Sequence, residues 1–550
     1  MSRWLALLAL CGLTFLVGLG HPAIQDADEG FYAESGREMI ASGDWITPHF
    51  EGEPRTNKPI LFYWLIALDY KAGGASETGA RLWSALAGVG LALSAAGITR
   101  RWIGAGPDLL AGGIVATSLG LTRLARSALP DVPLACFVTL AIWAGIEAAG
   151  ADRSAPGHQR RWLMLGAVAA ALGFLTKGPV AWVLIAIVVV PAVILERWQS
   201  KISIVPRIRG GDAALAVLLL AAITAPWFLL AAHANGIEFL RSFFIGENVD
   251  RFMTDRFNVP QPMWYYLPVI AGGLLPWSAL LLLLVRPSMG ALRSRRLSPA
   301  AWRLAAWAVM PVLFFTLSTG KQPRYIVPCL VPIGILIARE VWRRMPDRAD
   351  RSLAIAGSLT GLSLAAIGAL AYRLGPVFRA ADADWSTVGP ALLVGAGTAV
   401  LAATWFLRRT AALTVWLVAG SVAAVAVEAT AYWPTRPEAV ERIAARIATE
   451  APRAPVCSCN LFTRNLGYYA HVTTVVRDSE PEIQEFLTTA PASLAVVDEV
   501  TLNRLEADLH RHFTRLMSVP YLDTARLRVG DLVRDPDPMK VRTVVLVRTP

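Results

Sequence analysis

Charged residues are scarce in this sequence: they make up 17% of its 550 residues, where soluble domains carry about 25%. Together with 55% hydrophobic residues and a mean hydropathy of +0.47, this excludes an ordinary water-soluble enzyme. Cysteine is equally thin, at five residues. Cys11, Cys136 and Cys329 fall in apolar stretches, where a small soft side chain is ordinary packing. Cys457 and Cys459 stand one residue apart, which suits neither a zinc site nor a comfortable disulfide, so free or intermolecular thiols are expected. No internal repeat or low-complexity linker is visible, and no arginine-rich loop carries a DxD signature of nucleotide-sugar enzymes.

What the chain does have is long apolar runs, such as 215–230 and 274–285. A stretch of about 20 mostly apolar residues crosses the hydrocarbon core as a helix, because a helix satisfies its own backbone polar groups there. About 13 such spans are expected, at 4–20, 79–98, 108–122, 131–149, 161–176, 178–196, 212–232, 264–285, 300–318, 324–338, 352–372, 388–407 and 411–432. The fold class is therefore mainly α, a polytopic transmembrane helical bundle.

The net charge of +11 would suit a nucleic-acid partner if it were clustered on one surface. Instead, alternate connections between spans are short and rich in arginine. They hold Arg100 and Arg101; Arg153, Arg160 and Arg161; and Arg197, Lys201, Arg207 and Arg209. The pattern continues with Arg286, Arg293, Arg295, Arg296 and Arg303, then Arg339, Arg343, Arg344, Arg348 and Arg351, then Arg408 and Arg409. By the positive-inside rule these loops are cytoplasmic. The excess charge is an orientation signal, and no nucleic acid is expected. With Arg3 inside and an odd number of spans, the C-terminus lies outside. The stretch 4–20 is expected as a retained span, since its leading region holds one arginine and no convincing cleavage site follows.

Two regions follow from this pattern: a transmembrane part, 1–432, with a long first outer loop at 21–78, and an outer α/β domain, 433–550. In the second, 437–450 reads as an amphipathic helix, with Val440, Ile443, Ala444 and Ile447 at helical spacing. Strand-like runs follow at 472–476, 494–497 and 541–547, with helical stretches at 481–487 and 501–512 between them. In the first loop, 30–41 and 61–70 look helical but too polar to span, and are expected to lie flat at the membrane surface.

That first loop carries the candidate chemistry. Asp26, Asp28 and Glu29 follow directly on the first span, and some thirty residues later comes Lys58-Pro59 ahead of an aromatic run. An amine at headgroup level can hold a phosphate as a point charge. Asp131 heads an otherwise apolar span, a costly position that is functional by default or a helix cap. Lys177, Arg251, Lys321, Arg324 and Tyr325 lie at span ends on the same outer side, where the positive-inside rule disfavours cations. The pairing suits transfer from a polyprenyl-phosphate sugar. Cations stabilise the phosphate oxygens as the glycosidic bond breaks, and a carboxylate accepts the acceptor's proton. One displacement with one base inverts the anomeric centre. The candidate catalytic carboxylates are Asp28, Glu29 and Asp131; the candidate carrier-phosphate ligands are Lys58, Arg251, Lys321, Arg324 and Tyr325. The three carboxylates are also the candidate holders of a divalent cation, with no histidine evidently placed to join them.

These residues resemble the GT-C superfamily of integral-membrane glycosyltransferases, in the branch of the protein O-mannosyltransferases and the lipid A aminoarabinose transferase. The matching runs are Asp28-Glu29-Gly30-Phe31-Tyr32-Ala33-Glu34, Arg37-Glu38-Met39, Gly43-Asp44-Trp45, Lys58-Pro59, Gly79-Ala80-Arg81-Leu82, Leu274-Leu275-Pro276-Trp277 and 321–328. The resemblance implies Asp28 as the catalytic aspartate and Asp131 as a second acidic residue. It further implies Lys58 as the carrier-phosphate ligand, helped by Arg251 and Tyr325. Two positions depart from the aminoarabinose pattern: Phe31 stands for an arginine that contacts carrier phosphate, and Asn57 for a glutamate implicated in metal binding. The function expected is sugar transfer from an undecaprenyl-phosphate donor to an envelope acceptor such as lipid A, at the periplasmic face of a bacterial inner membrane. The alternatives are protein or polysaccharide O-glycosylation within the same superfamily, a lipid-linked sugar transporter, and a non-catalytic scaffold.

Overall fold

The computed structural model describes residues 2–550 apart from 151–155, 202–207, 255–259, 295–296, 346–349, 432, 434–436, 451–454, 491, 523–540 and 550. Arg153, Arg207, Arg295, Arg296 and Arg348 of the loop arginines, and the expected boundary at 432, lie outside that set. Among the described residues, nine helices are long and apolar enough to cross a membrane, and eleven if each of two sharply bent pairs is one span. The bent pairs are Asp108–Thr117 with Leu119–Ala125, at 64°, and Tyr266–Gly273 with Trp277–Gly290, at 118°. They correct the expected straight spans at 108–122 and 264–285. The first expected span is a shorter apolar helix, Arg3–Leu16, and 161–176 lies within a helix Pro156–Lys177.

The two breaks are joined to each other. The Leu119 amide, just after the first bend, donates to the Leu275 carbonyl in the second at 2.8 Å. Backbone groups freed at membrane depth must find partners inside the protein, and this bond supplies one. Gly120 makes the approach possible: a Cβ there would lie 2.6 Å from the Gly273 Cα.

In the long connection after the first apolar helix, helices Asp28–Ser42 and Leu61–Gly73 flank a hairpin of β1 (His49–Phe50) and β2 (Glu53–Pro54). The helices pack on each other, with Tyr32 edge-on to Phe62 at 5.3 Å. The first is largely buried by protein and so does not lie free on the membrane surface. At the C-terminus, β3 (Val456–Cys459), β4 (Thr474–Arg477), β5 (Leu494–Asp498), β6 (Thr514–Tyr521) and β7 (Arg542–Arg548) form a sheet ordered β4-β3-β5-β7-β6. β3 runs parallel to β4 and β5; β7 is antiparallel to β5 and β6.

Strand alternation gives this sheet two cores. Leu494 and Val496 face helix Ala439–Glu450 through Val440, Ile443 and Ile447. Ala495 and Val497 face Ile483, Leu487, Leu502 and Leu505 on the other side. β3 and β6 were not expected from the sequence. β3 is short and its alternate residues are cysteines, and β6 carries arginine, serine and proline. Cys457 and Cys459 are free thiols buried in the second core, which bears out the first of the two expected states and rules against the intermolecular one: their strand is internal to the sheet.

Candidate functional site

Asp28 opens the helix Asp28–Ser42, where the helix dipole also favours a carboxylate. Arg324, at the start of the span Pro323–Arg344, donates to its Oδ2, and Arg464 Nη1 lies 3.6 Å from Oδ1. Burial by itself would raise the Asp28 carboxyl, but Arg324, Arg464 and Arg55 outweigh it and hold the group below the usual carboxylate range. The residue is thus an ionised carboxylate at neutral pH.

Asp131 opens the span Asp131–Gly150. Its Oδ1 sits 2.6 Å from Lys177 Nζ, and its Oδ2 is 3.8 Å from Arg324 Nε. Arg324 therefore stands between the two aspartates. The Lys177 ammonium also lies 5.1 Å over the Tyr325 ring.

Two further cations gather on Glu247. Lys58 Nζ is 3.0 Å and Arg251 Nη2 2.8 Å from its Oε2, while Asn57 Nδ2 donates to Oε1 at 3.2 Å. A carboxylate among two cations and an amide occupies the surroundings that a phosphate oxygen would take. Burial pushes the Lys58 ammonium down to about 8, against the opposing pull of Glu247; Arg251 and Lys177 push the same way as burial.

Two cavities meet at Arg324. One, of about 310 Å³, has a polar end of Lys58, Asp131, Lys177, Arg251, Arg324 and Tyr325, and an apolar length of Leu134, Val180, Leu184, Phe252 and Phe314. The other, of about 620 Å³, is bounded by Asp28, Arg123, Gln322, Arg324 and Arg464, with Gly120 and Gly273 of the two bent pairs in its wall. A charged head beside an apolar channel suits a polyprenyl phosphate. A wider cavity on the Asp28 side of Arg324 suits a second substrate.

Two expected site residues are placed elsewhere. The Glu29 carboxylate is buried and committed to Arg81, with Nε at 2.8 Å and Nη2 at 2.9 Å, and to the amides of Gln25 and Ala128 at 3.0 and 2.7 Å. With both oxygens held by four donors, its geometry is that of a structural anchor, with its lone pairs already taken. Lys321 donates to the carbonyls of Gln261 and Ser318 at 3.0 and 2.7 Å. Its charge is spent on tying a loop. As a cation-binding set, Asp28, Glu29 and Asp131 do not converge: Arg81 holds one, and Arg324 separates the other two.

Glu247, Arg55 and Arg464 escaped the sequence reading. The spacing of Glu247 and Arg251, four residues apart, signals a pair on one helix face. Arg464 gives no local signal, because only folding brings the C-terminal region to Asp28.

The family model of dolichyl-phosphate-mannose-protein mannosyltransferases matches residues 23–240. An undecaprenyl phosphate-alpha-4-amino-4-deoxy-L-arabinose arabinosyl transferase of Pseudomonas aeruginosa is 34% identical over 418 residues, covering 74% of this chain and 72% of that protein. A namesake from Edwardsiella ictaluri is 35% identical over 382 residues, covering 68% and 66%. Among solved structures, ArnT from Cupriavidus metallidurans bound to undecaprenyl phosphate superposes with a TM-score of 0.74 at 22% identity, over 100% of this chain and 98% of that one.

Proposed function

Because this chain belongs to the undecaprenyl phosphate-aminoarabinose arabinosyl transferase family of GT-C glycosyltransferases, we propose that it moves a sugar from an undecaprenyl-phosphate donor to lipid A or a related envelope acceptor. The observation that carries the reading is the meeting of the two cavities at Arg324, with phosphate-type ligands on one side and an ionised aspartate on the other. It is a multi-pass protein of the bacterial inner membrane. The helices Arg3–Leu16 and Pro156–Lys177 are proposed to cross with the other eleven. With that odd count and the arginine-rich connections inside, the proposed topology has a cytoplasmic N-terminus and a periplasmic active site. Residues 1–432 then form the transferase domain and 433–550 a periplasmic domain.

In the proposed reaction, Lys58, Arg251 and Tyr325 take the carrier phosphate in the place now held by Glu247. The bond from the anomeric carbon to the phosphate oxygen breaks, and its electron pair leaves with the polyprenyl phosphate. The acceptor oxygen forms the new bond from the opposite face, and its proton passes to Asp28, so the anomeric centre inverts. Cationic stabilisation of the leaving phosphate supplies the electrostatic part, and the base contributes about 10²–10⁴-fold. Broken spans are also what a transporter would show. Here, however, they wall the cavity beside Asp28, and the charges lie at span ends.

The test is transfer by the purified protein from a panel of undecaprenyl-phosphate sugars, including aminoarabinose and neutral hexoses, to lipid A, followed by mass spectrometry. Asp28→Asn is expected to lose about 10²–10⁴-fold in kcat. Full activity in that variant would remove Asp28 as the base, and a wild type inactive with the whole panel would remove the transferase reading.

A further inference from the structure

The C-terminal α/β part does not merely sit beside the membrane helices; it reaches into the site. The segment 462–469 is docked on the residues leading into the Asp28 helix by several bonds. The Arg464 amide donates to Asp26 Oδ1 at 2.7 Å, the Asn465 side chain donates to the Ile24 carbonyl at 2.7 Å, and the Ile24 amide donates to the Tyr469 hydroxyl at 2.7 Å. Ala23 is buried in the same core as Val440 and Ile443. The approach is so close that a Cβ at Gly30 would lie 2.3 Å from the Arg464 carbonyl oxygen, so only glycine fits. This docking carries the Arg464 guanidinium over the Phe31 ring at 4.7 Å and to 3.6 Å from Asp28, where it lines the wider cavity.

We infer that Arg464 is a positioning residue for Asp28, through which the C-terminal α/β part completes the transferase site. Arg324 holds one carboxylate oxygen of Asp28 and Arg464 faces the other, so the side chain is clamped with its charge at the cavity wall. The remaining titratable groups acting on Asp28 are Arg55, Tyr32 and Tyr63 from the first loop, and Asp131 across Arg324. The arginine belongs to the wall open to the acceptor, whereas the carrier-phosphate cluster of Lys58 and Arg251 lies in the other cavity.

The inference rests on the reading of Asp28 as the base, so one arm of its test is independent of transfer. Carbodiimides modify protonated carboxyls, and labelling of Asp28 against pH, read by peptide mass spectrometry, reports its protonation. Removing one of the neighbouring cations in Arg464→Ala is expected to move the labelling midpoint up by about one pH unit, with Arg464→Lys restoring most of it. Gly30→Ala, which pushes that segment away, is expected to shift the midpoint in the same direction. In the transfer assay, the acidic limb of the kcat profile moves with the labelling midpoint while the donor KM stays near wild type. An Arg464→Ala protein that folds with an unmoved midpoint and an unmoved profile overturns the inference. So does a uniform loss of kcat at every pH, which marks a purely structural role. A midpoint that shifts in the variants, while wild type and variants alike transfer no sugar, upholds the positioning contact and faults the transferase reading alone.

Discussion

At the residue scale, the site depends on which charges are spent and which are available. Glu29 and Asp28 are neighbours in sequence, yet Glu29 is buried on Arg81 while Asp28 borders a cavity. Removing one partner of a buried pair leaves the other charge uncompensated, at about 3–5 kcal/mol. Glu29→Gln is therefore expected to lower the melting temperature in detergent sharply, whereas Asp28→Asn loses turnover and melts near wild type. Lys58 makes a pH prediction. Its ammonium titrates near 8 in the free protein, and a bound phosphate favours the charged form and moves that value up. Below pH 8 the lysine is already charged and donor affinity is flat. As pH rises past 8, binding must take up a proton, so affinity falls by up to about tenfold per pH unit. A titration of donor binding from pH 6 to 10 reads this directly, and Lys58→Arg is expected to flatten the curve.

At the element scale, the two bent pairs make the wider cavity. A straight helix presents its side chains along its length, but a break opens backbone and small residues to a space within the bundle. Gly120 and Gly273 meet at such a break and line the cavity wall. Gly120→Ala forces the two breaks apart, and overpacking of this kind costs about 1–3 kcal/mol. The expected result is a lower melting temperature together with reduced acceptor turnover. A variant as stable and active as wild type would show that the breaks can separate freely.

At the scale of the whole molecule, orientation decides whether the site faces the periplasm. The five cysteines are all buried, so a new exposed thiol reports without much background. His512 is exposed on the C-terminal part, and Ser200 is exposed in an arginine-flanked connection. A membrane-impermeant maleimide is expected to label His512→Cys in intact spheroplasts, and Ser200→Cys only after permeabilisation. The reverse pattern would invert the proposed topology.

Membrane class and the order of apolar helices follow from the sequence by itself, and so does the proposal that Asp28, Lys58 and Asp131 share the outer face, because hydropathy and the arginine loops are local properties read one stretch at a time. The Asp28–Lys58 loop was legible for the same reason, with acidic and basic motifs close in sequence. What only the tertiary structure decided is which of these groups border the cavities and which are tied up elsewhere. Glu29 and Lys321 look like site residues until Arg81 and two backbone carbonyls are seen to hold them. Arg464 looks like nothing until folding carries it past more than four hundred residues of chain to Asp28. Charge pairing depends on separation in space, and in a helical bundle residues distant in the chain share a site that no local pattern records.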